Sequence, residues 1–186
     1  MIDVQMIIGI VTSICTIAAV VAAILTFNVA KESFHADHKR RKLQATLEYY
    51  GKLSNTVTVQ LKHALSKVLN VSYAEASCGK IPLAKDIWKG EPDLQEKLLV
   101  YCRNMEHFAV GIKEGIFDFD TFYYVAGKTT IDLFTQISPV IDDIITANRG
   151  YSSDFCCAYK SLCKDLSDKY NSETLKSKND DNPITN

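Results

Sequence analysis

Charge is missing from the start of this chain. From Met6 to Phe27 there is no Asp, Glu, Lys or Arg, which is unusual for a helix of a soluble protein. Catalytic signatures are missing too. The chain has no H-E-x-x-H, no G-x-S-x-G and no Gly-rich phosphate loop, so those chemistries have no foothold here. None of the six cysteines forms a C-x-x-C pair. In a reducing cytosol they are expected as free thiols. An excess of either charge is also lacking, because the formal net charge is −1. The broad basic face of a nucleic-acid binder is therefore not expected. Neither an internal repeat nor strand-like alternation stands out.

What fills the uncharged stretch is apolar. It reads Met6-Ile7-Ile8-Gly9-Ile10-Val11, then Ile14, Ile17, Val20, Val21, Ile24, Leu25 and Phe27. About 22 residues make roughly 33 Å of helix, enough to cross a bilayer core. Apolar residues lie on all sides, so the segment is not an amphipathic surface helix. A cleavable signal peptide needs a basic start, a short core and a small-x-small site. Here the start is acidic, the core is long, and Asn28-Val29-Ala30-Lys31 follows. A spanning anchor fits best. Small residues recur at spacing four (Gly9 and Ser13, Ala18 and Ala22, Ala19 and Ala23). Such spacing permits close helix approach in lipid but is common in all spans. Thr12, Thr16 and Thr26 are expected to bond to carbonyls four residues back.

A basic collar follows the span: Lys31, Lys39, Arg40, Arg41 and Lys42. Residues 31–42 carry five basic and two acidic groups, a local charge of +3. The positive-inside rule then puts the N-terminus outside and the bulk of the chain in the cytoplasm. The expected organisation is a short extracytoplasmic N-terminus (1–5), a transmembrane helix (6–27) and a basic juxtamembrane segment (28–42). A cytosolic helical domain (43–170) and a disordered tail (171–186) complete it. The expected partners of the collar are the bilayer and anionic lipid head groups, with each cation there contributing about 1 kcal/mol.

The remainder reads as all-α, a bundle of about four to five helices. Leu43, Leu47, Tyr50, Val57, Leu61, Leu65 and Val68 recur at helical spacing, with one gap at Ser54. Gly51 and the β-branched run Thr56–Val59 weaken that helix. It is expected to end near Ser77, before Gly79. Residues 79–91 read as a connection around the lone Trp88. Pro92 suits a first helical position. Leu94, Leu98, Cys102, Met105, Ala109 and Ile112 then form the clearest stripe, stopping at Gly115. Asp118 or Asp120 caps a third helix through about Ile137. Ser138-Pro139 restarts a fourth, to Gly150. Ser152 or Ser153 caps a fifth, to about Tyr170.

Asn104, Glu106, Gly111, Gly115, Asp118 and Arg149 carry a resemblance. The stretch from Leu98 to Glu106 and the turn Gly111-Ile112…Gly115-Ile116-Phe117-Asp118 resemble an uncharacterised bacterial domain-of-unknown-function family. The resemblance covers about the middle third of the chain and the placement of the anchor. It implies a single span and a short cytosolic helical domain, and it brings no activity with it.

Chemistry-bearing residues have simpler readings. Glu106 and His107 are adjacent, so on a helix they point about 100° apart. Arg103, Asn104, Glu106 and His107 are read together as a polar interaction face. Cys156 and Cys163, with His63 or His107, have metal-ligand types, but helical cysteines usually pack as small apolar residues. Asp118 and Asp120 read as helix starts, and Asp142 and Asp143 as charge near one. No catalytic residue, cofactor or metal is expected. The expected function is a membrane-anchored helical interaction or regulatory module on the cytoplasmic face, binding a protein partner or itself. The alternative is a membrane-perturbing effector whose span assembles into a pore, as in a bacterial defence or toxin-like system.

Overall fold

The computed structural model describes residues 4–76, 78–147 and 155–180. The protein is all-α, and no strand occurs among the described residues. The chain divides into two compact units, Met1–Lys42 and Leu43–Asn186. Helix α1 spans Val4–Leu53 and is followed by a π-helical turn, Ser54–Thr58, and by α2, Val59–Leu69. Short helices α3 (Tyr73–Ala76) and α4 (Lys85–Gly90) lead to α5 (Pro92–Lys113). Then come α6 (Phe119–Phe122), a second π-helical turn (Tyr123–Gly127), α7 (Lys128–Ala147) and α8 (Cys157–Asp180).

The first π turn corrects the expected stripe. Leu43 and Leu47 are 40% and 42% exposed, whereas Thr46, Leu53, Thr58, Leu61 and Leu65 are buried. From Leu53 to Thr58 the inward step is five residues, one more than an α-helix takes. The π turn absorbs that extra residue and keeps both flanking stretches facing the core. Thr46 is tolerated inside because its hydroxyl accepts the Asp118 N–H at 2.8 Å.

Helix α2 ends earlier than expected, at Asn70 in the left-handed region (φ 52°), rather than near Ser77. Asparagine tolerates that conformation because its short polar side chain bonds locally. Ser77 itself lies outside the described residues. The connection 79–91 holds α4, whose Trp88 is buried. Gln95 Nε2 donates to the Trp88 and Lys89 carbonyls at 2.9 and 3.1 Å and so closes the end of α4. Pro92 opens α5, as expected.

The turn after α5 shows why its sequence is as it is. Gly115 N–H donates to Ile112 O at 3.0 Å, and Ile116 N–H donates to Gly111 O at 2.8 Å. Gly115 has φ 71°. These are the two bonds of a Schellman stop, which favours glycine at the left-handed position. At Gly111 an added Cβ would lie 2.5 Å from the Phe117 ring. Phe117 can therefore fold back onto α5. It sits 4.9 Å from Phe108 and 5.1 Å from Tyr49, within an aromatic cluster that includes Tyr50 and Phe122. Asp118 is the cap: its carboxylate accepts the Thr121 N–H at 2.8 Å.

Pro139 does not restart the chain. It lies inside α7. Proline has no N–H for the carbonyl four residues back, here Thr135. The Ser138 hydroxyl donates to that carbonyl instead, at 3.0 Å. The neighbouring Gln136 carbonyl accepts the Leu83 N–H at 2.8 Å. The Ser138 bond replaces the one that the proline removes, and the Leu83 bond ties the connection before α4 to the same turn of α7. The Gln136 side chain is fully buried, and its amide finds no partner among the described residues. Arg149, Gly150, Ser152 and Ser153 lie outside the described residues.

Helix α8 begins later than expected and runs on to Asp180. Helix thus occupies residues 171–180, where composition suggests a disordered tail. Glu173, Leu175 and Lys176 are good helix formers, and Glu173 is tethered by the Tyr123 hydroxyl at 2.8 Å. The core of the second unit is built from Leu61, Leu65, Leu83, Leu94, Leu98, Tyr101, Met105, Phe108, Leu133, Ile137 and Tyr159.

Candidate functional site

In the first unit the apolar helix is exposed along its described side chains from Ile14 to Phe27. Ile17 is 65% exposed, and Ile14, Val20, Val21, Ile24, Leu25 and Phe27 are exposed as well. It is the helix among the described residues that is long and apolar enough to cross a membrane, with a mean hydropathy of 2.0 and none of that stretch buried. Thr16 and Thr26 hydroxyls donate to the Thr12 and Ala22 carbonyls at 2.8 Å, so neither leaves a loose polar group. Lys31, Lys39, Arg40 and Arg41 are exposed and Lys42 is half-buried. Arg41 pairs with Asp37 at 2.8 Å, one turn back. Phe34 is exposed and stacks on His38, with ring centroids 6.4 Å apart.

In the second unit the four residues read as one polar face go separate ways. Arg103 and His107 are exposed. Asn104 turns back onto its own helix, its amide donating to the Val100 carbonyl at 2.8 Å. Glu106 reaches across to α8. Its two oxygens accept the N–H groups of Ala158 and Tyr159 at 3.0 and 2.8 Å. The first N–H groups of a helix have no partner within it and carry partial positive charge. A carboxylate satisfies both demands, so Glu106 is the cap of α8, supplied from another helix. No local sequence signal marks this, because the cap and the capped residues are 52 and 53 positions apart.

Beside this cap lies a buried cluster of sulfur and phenol groups. Cys102, Cys156, Cys163, Tyr101 and Tyr159 are all buried. The Tyr101 and Tyr159 hydroxyls are 3.1 Å apart, and their rings meet edge to face. Burial pushes both phenols well above the usual tyrosine range. The Cys102 thiol is held protonated first by its hydrogen bond with Cys156 and then by burial. Burial raises the Cys163 thiol, which also bonds to Tyr159. His63 and His107 are exposed, so the structure does not bring a histidine to Cys156 and Cys163. No group of three or more metal-ligand side chains converges among the described residues.

A cavity of about 420 Å³ opens between α5 and α8, lined by Glu106, Ala109, Ile112, Lys113, Cys157, Ala158, Ser161, Leu162 and Asp165. Its charged lining residues are Glu106, Lys113 and Asp165, and Ala109, Ile112, Ala158 and Leu162 supply apolar wall. On another side, Lys169 sits among three rings. Its Nζ is 4.5 Å from the Tyr123 centroid, 5.1 Å from that of Tyr124 and 5.6 Å from that of Phe119, and 2.6 Å from Asp120. This cation–π and ionic contact ties α8 to the second π turn. The pair also accounts for Asp120: it holds Lys169, while Asp118 takes the helix start.

The turn that ends α5, its Asp118 cap and the helices on either side all fall within one family model. The model for "Domain of unknown function (DUF4760)" matches residues 13–165. The chain belongs to this family. The matched stretch of DUF4760 takes in part of the apolar helix, the collar and all of α2 to α7. No curated protein and no solved structure matches the chain.

Proposed function

We propose that this DUF4760 member is a single-pass protein of a bacterial plasma membrane. Residues 6–27 span the bilayer, the N-terminus faces outside, and the helical domain from Leu43 onward lies at the cytoplasmic face. The observation that carries the reading is the apolar helix with none of its most hydrophobic stretch buried. In water, that much exposed apolar surface would cost about 25 cal/mol per Å², whereas lipid covers it. The all-exposed cations of Lys31 and residues 39–41 support the orientation and add attraction to anionic head groups.

The domain acts as an interaction or regulatory module, held at the surface to meet a protein partner or a second copy. Its polar groups support this reading. Glu106 and Asp118 cap helices, Tyr101 and Tyr159 bond to each other, and Thr46 holds the turn. These groups stiffen a scaffold. Meanwhile Ile116 and Tyr124 stay 59% and 73% exposed on the domain surface. Cross-linking in intact cells, followed by purification through the domain, tests this. A reproducible partner or a dimer is expected, and a purely monomeric, partnerless protein at native abundance counts against the module.

A further inference from the structure

Lys169 on α8 is surrounded as a bound cation is. Its Nζ lies 4.5, 5.1 and 5.6 Å from the ring centroids of Tyr123, Tyr124 and Phe119, all within reach of a cation–π contact. The Tyr123 and Tyr124 rings stand at 72° to each other with centroids 5.2 Å apart, as two walls of a corner. Asp120 closes the rim, its carboxylate 2.6 Å from the ammonium. Ring faces and a carboxylate thus converge on one positive charge. The end of α8 that brings the lysine there is lightly held. Leu166 is the last buried residue of α8 among the described side chains, and residues 170–176 are exposed. Beyond Leu166 the helix is tied down by Lys169 itself, by the Tyr123–Glu173 bond at 2.8 Å and by Lys128 Nζ over the Tyr170 ring at 5.5 Å. Asp120 is 71% exposed, and an ion pair to so exposed a carboxylate contributes little to stability. Tyr124 is 73% exposed, so the corner can be reached from solvent.

We infer that Phe119, Asp120, Tyr123 and Tyr124 form a binding site for quaternary ammonium ions, which the chain's own Lys169 fills in this structure. A lysine ammonium is compact and strongly hydrated. A quaternary ammonium presents methyl groups to the same rings and is the cation that aromatic cages recognise best. It enters by displacing Lys169. Residues 169–176 then lift as a strap, while the buried part of α8, capped by Glu106 and anchored by Tyr159, stays in place. The lysine is therefore an internal competitor. If about a tenth of the molecules have the strap lifted, apparent binding is about tenfold weaker than to an emptied cage. The same trimethylammonium group occurs on ions free in solution and on choline head groups of lipids, and the cage recognises it in either form. The site requires no protein partner and does not depend on which side of a membrane the domain faces.

The test uses the full chain with ring-labelled tyrosine in a non-ionic detergent. It is titrated with tetramethylammonium chloride, against sodium chloride at equal ionic strength, and followed by NMR. Saturable shifts of the Tyr123 and Tyr124 ring signals are expected. In Lys169→Ala and Lys169→Gln the apparent affinity is expected to rise about tenfold, because the competitor is gone. Lys169→Arg, which keeps a cation in the cage, is expected to stay near the unaltered chain. Tyr124→Leu in the Lys169→Ala background is expected to lose binding. Neopentyl alcohol, of similar shape without the charge, is expected to give no saturable shift. Amides of residues 170–176 are expected to exchange hydrogen faster when the ion binds the unaltered chain, with those of 159–166 unchanged. Nanodiscs of phosphatidylcholine, compared with phosphatidylglycerol, separate the two sources. Ring shifts in choline lipid without added ion assign the head group, and shifts only with added ion assign the free solute. Two results would overturn the proposal. One is no saturable shift in either Lys169 variant while the Tyr101 and Tyr159 ring signals keep their native positions. The other is an equal shift from neopentyl alcohol.

Discussion

The Glu106 carboxylate accepts the Tyr159 N–H at 2.8 Å across 53 residues of chain and, with Ala158, closes the start of α8. A glutamate on one helix thus fixes where another begins. Glu106→Gln keeps the shape but loses the charge and one acceptor. It leaves a half-buried amide without a partner, at a cost of about 1–3 kcal/mol. The full chain in detergent is expected to melt lower by several degrees. His107→Ala, at an exposed neighbour, is expected to change stability by less than about 0.5 kcal/mol. Equal effects of the two substitutions would remove the capping role.

Leu98 is fully buried on α5, whereas Arg103 is exposed on the same helix. Leu98→Ala is expected to destabilise the domain by about 2–5 kcal/mol through lost transfer energy and a residual cavity. Arg103→Ala is expected to cost far less. Chemical denaturation of the two variants in the same detergent compares them directly, and a mild Leu98→Ala would mean that the stripe does not face the core.

Tyr123 donates its hydroxyl to Glu173 at 2.8 Å. That hydrogen bond to a carboxylate, with burial, pushes the Tyr123 phenol from its usual 10.0 up to about 12. The folded state therefore keeps a proton that the unfolded state releases. The contribution is present in full below about pH 10 and is lost as pH rises toward 12. In Glu173→Gln the Tyr123 titration should fall back toward its ordinary value, as followed by NMR of ring-labelled tyrosine. An unmoved titration would show that Glu173 does not hold the proton.

The collar is tested by changing Lys39, Arg40, Arg41 and Lys42 together to Gln. Four cations worth about 1 kcal/mol each at an anionic surface are then gone. Mixed topology is expected, with the circular dichroism of the helical domain unchanged. Protease protection of membrane vesicles reads the mixture, and a single, wild-type orientation would rule out the collar as its determinant.

Where the sequence was legible, the signal was local. Gly115 and Asp118 end one helix and begin the next through bonds within a few residues, and both were readable as such. The apolar stripe of α5 was readable because burial repeats with the helix period. The misreadings have a shared cause. Pro139 reads as a boundary in sequence because the bond from the Ser138 hydroxyl to the Thr135 carbonyl, which serves the acceptor that proline leaves, is not visible in an apolar pattern. The gap at Ser54 was visible, but its answer, a π turn that shifts the buried face from Leu43 and Leu47 to Thr46 and Leu53, depends on what packs there. In sequence Glu106 reads as a polar group on a strongly periodic helix. Its role belongs to a helix start more than fifty residues away. The candidate interaction face was legible only as composition, since tertiary contacts decide which of its members point outward.

If the apolar helix spans the membrane with the domain inside, the chain's own exposed thiols report on it. Cys78 and Cys157 are exposed on the domain. Intact bacterial cells expressing the full chain are treated with a membrane-impermeant maleimide, and a second sample is treated after permeabilisation. Cys78 and Cys157 are expected to resist labelling in intact cells and to label readily once the membrane is opened, with the protein remaining in the membrane pellet after alkaline extraction. Ready labelling of Cys78 in intact cells, or release of the protein by alkali, would contradict it.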